Sequence, residues 1–351
     1  CREFWYICQI NFGTFSKITL LYQISMYLVL NSLITITPVD GPVFKIRSIQ
    51  DVRIKSSWKN LTSTCEITLP RAYKVENRNR DIRDFLTAGT AIEVQLGYNG
   101  DLQTEFSGYV TGFDGSGPIT IDCEDEMWRL KRTNLNKVFY KSKLRDLIEF
   151  VVPEYQTEIE EVSIGDFEIR NATAAQVLKE FSEHPYNMFS YFPLGSKVLH
   201  VGFPYRFKSS NRHILHLQRN TKNESLEYRN IEADQIQVRV ISHLDNGQIL
   251  ETLHPKNLDG ASQRTLNVMN VETVQELEAY AKAELDRFNF SGYEGNITSF
   301  GIPVVRHGDE VDIRDARYPE RNGVYLVDEV ITEFNSSSAD FKRVINIGLK
   351  V

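Results

Sequence analysis

Residues 89–113 read GTAIEVQLGYNGDLQTEFSGYVTGF. A glycine opens the stretch, and Ile92 and Val94 alternate with polar neighbours, the two-residue period of a strand with one buried face. Asn99-Gly100 follows, and both of its positions tolerate positive φ, which closes a tight hairpin. The chain then returns through Phe106-Ser107-Gly108-Tyr109-Val110. This stretch predicts an antiparallel hairpin against a β core.

A second stretch repeats the pattern. Gly308-Asp309-Glu310-Val311-Asp312-Ile313 precedes Asn322-Gly323-Val324-Tyr325-Leu326-Val327. Val311 and Ile313 match Ile92 and Val94, and Gly323 with Tyr325 matches Gly108-Tyr109. A recurring glycine turn, alternating strand, variable loop and Gly-aromatic return predicts two related β-domains in one chain.

Between residues 32 and 128 the runs VFKIRSIQDVRIKS, TSTCEITLP and ITIDCED join this hairpin, separated by turns at Asp40-Gly41-Pro42 and Gly115–Pro118. Many short strands at this spacing predict a small barrel or sandwich. From 129 to 200 the period becomes mixed. KLRDLIEFVV places Leu144, Leu147, Ile148 and Val151 on one helical face, and ATAAQVLKEFSEH does so with Val177, Leu178 and Phe181. Thr173 and Gln176 form a capping-box start. YNMFSYFPLGSKVLHVG reads as a hairpin. Strands follow over 225–251 with a turn at Asp245-Asn246-Gly247. VETVQELEAYAKAELDRF is then a helix, capped by Thr273 and Glu276, with Leu277, Tyr280, Ala281, Leu285 and Phe288 on one face. Residues 296–351 return to strands. The expected fold is mainly β with α+β middle parts: two similar small β-barrels plus inserted α/β domains. The first barrel is expected over 26–128, an α+β middle domain over 129–200, the second barrel over 201–245 with 292–351, and a helical insertion over 246–291.

The chain has 351 residues, 41% hydrophobic and 25% charged, the profile of an ordinary globular protein with room for several cores. Its net charge of −7 argues against bulk attraction to nucleic acid or anionic lipid. Cys1, Cys8, Cys65 and Cys123 show no CxxC and no regular spacing, so neither a disulfide framework nor structural zinc is expected, and a reducing compartment fits. Residues 18–39 carry no charge and are long enough to span a membrane. Gln23, Asn31 and Ser32 interrupt that run, however, and Ser32–Thr37 turns β-like, with Ile34 and Ile36 alternating with Leu33, Thr35 and Thr37, so no stable membrane insertion is expected. Met26 reads as the natural start and residues 1–25 as an extension.

Residues 119–132, ITIDCEDEMWRLKR, crowd Asp122, Glu124, Asp125 and Glu126 beside a cysteine and ahead of Arg129, Lys131 and Arg132. Strand alternation buries Ile119, Ile121 and Cys123 and turns the acids toward water or the basic residues, rather than onto an ion. His213 and His216 in HILHLQ fall on opposite faces of a strand. Glu158, Glu160 and Glu161 read as a solvated face rather than a glycosidase pair. No HExxH, GxSxG, GxGxxG or phosphate loop occurs. No catalytic, cofactor-binding or metal residue is assigned, no cofactor is expected, and the chain does not read as an enzyme.

TCEITLPR, then RDIRDFLTAGTAIEVQLGYNGDLQTEFSGYVTGFDGSGPITIDCEDEMWRLKR, resembles the first barrel of phage tail hub proteins of the late control protein D family. That family is similar in turn to the hub part of contractile injection-system spikes. LHVG at 199–202, NIEADQIQVRVIS at 230–242 and GYEGNITSFGIPVVRHGDEVDIRDARYPERNGVYLVDEVITEF at 292–334 resemble its later segments. The resemblance runs from about residue 30 to the end. It implies a structural baseplate subunit that forms a homotrimer, three-fold by chain and pseudo-six-fold by barrel. Such a ring joins a hexameric tail tube to a trimeric spike, touches other baseplate subunits, and lets DNA pass without specific binding. Its place would be a virion tail or an injection-system particle. The alternatives are a tail-associated cell-wall hydrolase and a membrane-anchored β-rich binding protein.

Overall fold

The computed structural model describes residues 4–7, 21–24 and 28–351, apart from 71, 76–77, 116–117, 184–185, 204–205, 208, 230–235, 245, 257–261, 287–291 and 320–321. The expectations placed on Met26 and on most of 1–25 lie outside the described residues. The uncharged run ends in a strand, as its alternation predicted. Among the described residues no helix is long and apolar enough to cross a membrane.

Six strands build the first barrel: β1 (Leu30–Thr37), β2 (Asp51–Ser57), β3 (Thr64–Leu69), β4 (Ala91–Tyr98), β5 (Asp101–Asp114) and β6 (Ile119–Glu124). They pair in the order β2-β3-β6-β5-β4-β1. Alternation sends Ile34, Ile36, Val52, Ile54, Ile67, Leu69, Val94 and Ile121 into one aliphatic core. The predicted turn closes β4 onto β5, with Asn99 at φ 53° and Gly100 at φ 86°.

The chain then passes through the short helix α1 (Met127–Leu130), β7 (Asn134–Lys143), α2 (Leu144–Val151), β8 (Gln156–Ile159), β9 (Ser163–Thr173), α3 (Ala174–Ser182), β10 (Phe189–Tyr191) and β11 (Val198–Gly202). Both predicted helices form. At the start of α3, Gln176 N–H donates to Thr173 Oγ1 at 3.2 Å and Thr173 N–H donates to Gln176 Oε1 at 2.7 Å, the predicted box. β10 and β11 are the predicted hairpin.

After β11 come the strands β12 (Arg212–His216), β13 (Thr221–Arg229), β14 (Ile236–His243), β15 (Ile249–His254) and β16 (Ser262–Met269). Helix α4 (Val274–Asp286) follows, then β17 (Gly292–Phe300), β18 (Glu310–Arg314), β19 (Gly323–Asn335) and β20 (Asp340–Lys350). Six of them form the second barrel in the order β13-β17-β20-β19-β18-β12. Numbered along the chain within each barrel, both run second, third, sixth, fifth, fourth, first. They differ in the first strand: β1 lies antiparallel to β4 and also pairs with the short strand Phe44–Ile46, whereas β12 lies parallel to β18.

The strand over 236–243, expected with the second barrel, pairs elsewhere. β14 forms a separate sheet with β15 and β16. Its Val238 and Val240 share a core with Leu266, Val268, Leu277 and Tyr280 and with the middle-domain residues Leu147, Ile164 and Phe181. The sequence between the second and third strands of the second barrel therefore packs on the middle domain. Tyr280 of α4 also donates to Ser163 O at 3.2 Å. Phe288, expected on the buried face of α4, lies outside the described residues.

β19 unites the two barrels. Its first residues pair with β18, while Glu329–Asn335 pair antiparallel with Asp51–Ser57 of β2. One thirteen-stranded sheet results, made of the twelve barrel strands and the short strand Phe44–Ile46 on the outer edge of β1.

Candidate functional site: the seam between the barrels

The two glycine turns that carried the sequence repeat are built alike. Gly89 (φ +93°) donates to Val110 O and Gly308 (φ +83°) to Val327 O, each at 2.8 Å. Val110 N–H returns to Thr90 O and Val327 N–H to Asp309 O, each at 2.9 Å. Each turn also closes on a side chain: Thr87 N–H donates to Thr90 Oγ1 at 3.2 Å, and Arg306 N–H donates to Asp309 Oδ2 at 2.9 Å. The pairing Ile92↔Gly108 corresponds to Val311↔Tyr325. Gly108 therefore matches Tyr325, and the Gly-aromatic alignment read from the sequence is shifted by two residues. The opening strands match as expected.

The seam itself is dense with polar contacts. Arg343 of β20 is 1% exposed, and its guanidinium grips Glu105 of β5 with Nη1–Oε2 at 2.8 Å and Nη2–Oε1 at 2.5 Å. It also donates to Gly301 O at 2.9 Å and Thr332 Oγ1 at 3.0 Å, so every nitrogen of the buried cation has an acceptor. Asp328 is a second node. It accepts from Trp58 Nε1 at 3.1 Å through its side chain and from Ser57 Oγ at 3.0 Å through its carbonyl, and it pairs with Lys59 at 2.5 Å. A third contact joins Ser56 Oγ to His307 Nδ1 at 2.7 Å, and burial pulls the His307 pKa down to about 4. Behind the seam a cleft of about 700 Å³ is bounded by both barrels and the middle domain, with Tyr109, Tyr191 and His200 among its walls.

The opposite face of the seam sheet is polar. One row crosses five strands in register: Asp122, Glu66, Arg53, Glu333 and Lys342. Arg53–Glu333 at 3.5 Å, Lys55–Glu329 at 3.3 Å and Lys342–Glu333 at 2.9 Å knit it together. Glu124 and Asp51 add acid along neighbouring rows, so carboxylates outnumber the cations on this face.

The acids at the end of β6 divide by role. Asp122 and Glu124 face outward as expected, with Glu124 on Lys131 at 2.6 Å. Asp125 does not. It is 7% exposed and accepts from Ser63 N–H at 2.8 Å and Met127 N–H at 3.1 Å, holding the start of α1. Its pKa is raised to about 6 because burial outweighs these two hydrogen bonds. The signal for this role was an aspartate two residues before a short apolar helix. Glu126 accepts from Tyr109 OH at 2.9 Å and Tyr155 OH at 2.8 Å.

His213 contacts Asp309 Oδ2 through Nε2 at 3.1 Å. Glu158, Glu160 and Glu161 go to three different partners, His200, Arg206 and Arg145. Among the described residues no group of three His, Cys, Asp or Glu could hold a metal ion, and Cys65 and Cys123 are free and buried.

No family model and no curated relative matches the sequence. Solved structures do match. A tail protein from Neisseria meningitidis has a TM-score of 0.63 at 13% identity, covering 90% of this chain and 96% of that one. The 43 kDa tail protein of prophage MuSo2 from Shewanella oneidensis gives 0.56 at 14% identity, with 90% and 97% covered. An E. coli component of the type VI secretion system, described as similar to T4 bacteriophage tail proteins, gives 0.55 at 11% identity, with 90% and 76% covered. The chain has the fold shared by these tail and secretion-system proteins.

Proposed function

We propose that this protein is a structural baseplate or tail hub subunit, three copies of which close into a ring of six barrels. The supporting observation is the doubled strand order, with one barrel joined edge to edge to the next inside a single chain. A closed ring requires one type of joint repeated around its axis, and two equivalent barrels per chain turn three chains into six positions. Such a ring matches a hexameric tube on one side and a trimeric spike on the other. The seam's polar, acid-rich face would line its channel. Cations there would retain DNA by releasing its counterions, whereas carboxylates let it slide past. The two barrels carry the ring, and the middle domain with β14–β16 and α4 braces its outside or its spike-facing end. Light scattering on the purified chain at tens of micromolar tests the reading, with a mass of three chains expected. A strictly monomeric protein that also fails to assemble with tube or spike partners would refute it.

A further inference from the structure

We propose that the joint between neighbouring chains copies the joint within the chain: the outer edge of β13, which has no strand beside it among the described residues, receives residues Gly112–Asp114 of β5 from a second copy. This inference rests on the hub reading and adds the residues that make it.

Within the chain, β19 pairs with β18 through Leu326, passes a bulge between Val327 and Glu329 in its pairing with β20, and then turns its other edge to β2. In the first barrel, β5 pairs with β4 through Tyr109 and shows a bulge between Val110 and Gly112 in its pairing with β6. Val110 corresponds to Val327, and Phe113 to Val330. Past Tyr109, β5 has no strand on its other side among the described residues. The receiving strands correspond as well. β2 lies between β3 and β19, whereas among the described residues β13 has β17 as its one partner strand. The registers Ile67↔Val52 and Ile297↔Glu224 align Ser56 with Tyr228. Since Val330 stands opposite Ser56 in the existing joint, Phe113 would stand opposite Tyr228 in the new one.

Exposure supports that placement. Val330, already inside a joint, is 3% exposed, while Phe113 is 38% and Tyr228 39% exposed. Two of the large apolar side chains left at the surface are the pair that the equivalence brings together, and exposed strand edges with apolar side chains invite a partner strand. The same step places Asp114 opposite Glu227, where the internal joint has Ile331 opposite Lys55. Like charges directly across a strand pair oppose it. The joint between chains is thus shorter than the internal one and carries a removable repulsion.

The test uses the full chain. Phe113→Cys with Tyr228→Cys, treated with oxidised glutathione, should give covalent dimers and trimers on a denaturing non-reducing gel, with neither single variant doing so. Asp114→Lys should independently lower the concentration at which trimers half-dissociate by several-fold. Trimers of the unaltered chain with no crosslinking and no response to Asp114→Lys would overturn this joint and leave the hub reading standing. A chain that stays monomeric, even with tube or spike partners, would overturn both.

Discussion

Arg343 and Glu105, 238 residues apart, form a two-pronged ion pair under the seam, with side chains 1% and 4% exposed. A pair this buried owes its place to completeness: each guanidinium nitrogen has an acceptor in Glu105, Thr332 or Gly301. Glu105→Ala strands the cation and should cost about 3–5 kcal/mol, read as a lowered midpoint in denaturant unfolding. Glu105→Leu with Arg343→Met removes both charges and should recover most of that loss. An equal loss in the single and double variants would show that the pair does not act as a unit.

Gly89 and Gly308 share a backbone conformation but not surroundings. A Cβ at Gly308 meets nothing closer than Phe207 O at 3.7 Å, so Gly308→Ala should cost only the left-handed strain, about 1–2 kcal/mol. A Cβ at Gly89 falls 2.8 Å from Trp128 Cη2 and must also displace the indole. Gly89→Ala should therefore lower the melting temperature more than Gly308→Ala. The reverse ranking would contradict the geometry.

Sequence periodicity reached the β class, the hairpin turn at Asn99-Gly100, the capped helices and the internal repeat, because each is fixed by residues close together in the chain. What it missed depends on pairing at a distance. β14 alternates like any barrel strand, and only its partners β15 and β16 reveal that it belongs beside the middle domain. The seam was illegible for the same reason: Glu329 through Asn335 look like the continuation of one hairpin strand, and nothing local says that β2 lies alongside. Arg343 and Glu105 read as two ordinary charges in polar strands.

The acids around β6 separate cleanly by mutation. Asp122→Asn with Glu124→Gln should change stability by less than about 1 kcal/mol, as for exposed strand charges. Asp125→Ala leaves the Ser63 and Met127 N–H groups without their acceptor and should cost about 1–3 kcal/mol for each group left unpaired. Thermal unfolding of both variants checks the contrast. A tightly bound divalent ion lost on mutating Asp122 and Glu124 would overturn the architectural reading of the cluster.

Stability should also depend on pH through two buried groups that oppose each other, His307 at the seam and Asp125 at the start of α1. His307 has its pKa lowered to about 4 by burial, so between pH 4 and 6.5 the unfolded chain holds the extra proton and stability rises with pH. Asp125 has its pKa raised to about 6, so between 3.8 and 6 the folded chain holds the extra proton and stability falls with pH. Over their shared window the two slopes have opposite sign and largely cancel. His307→Gln removes the rising contribution and should leave a protein whose melting temperature drops from pH 4 to 6 relative to the unaltered chain. Asp125→Asn, which keeps an oxygen acceptor, removes the falling one and should tilt the profile the other way. Melting curves at half-unit pH steps measure both, and two variants that tilt in the same direction would show that these groups do not set the pH response.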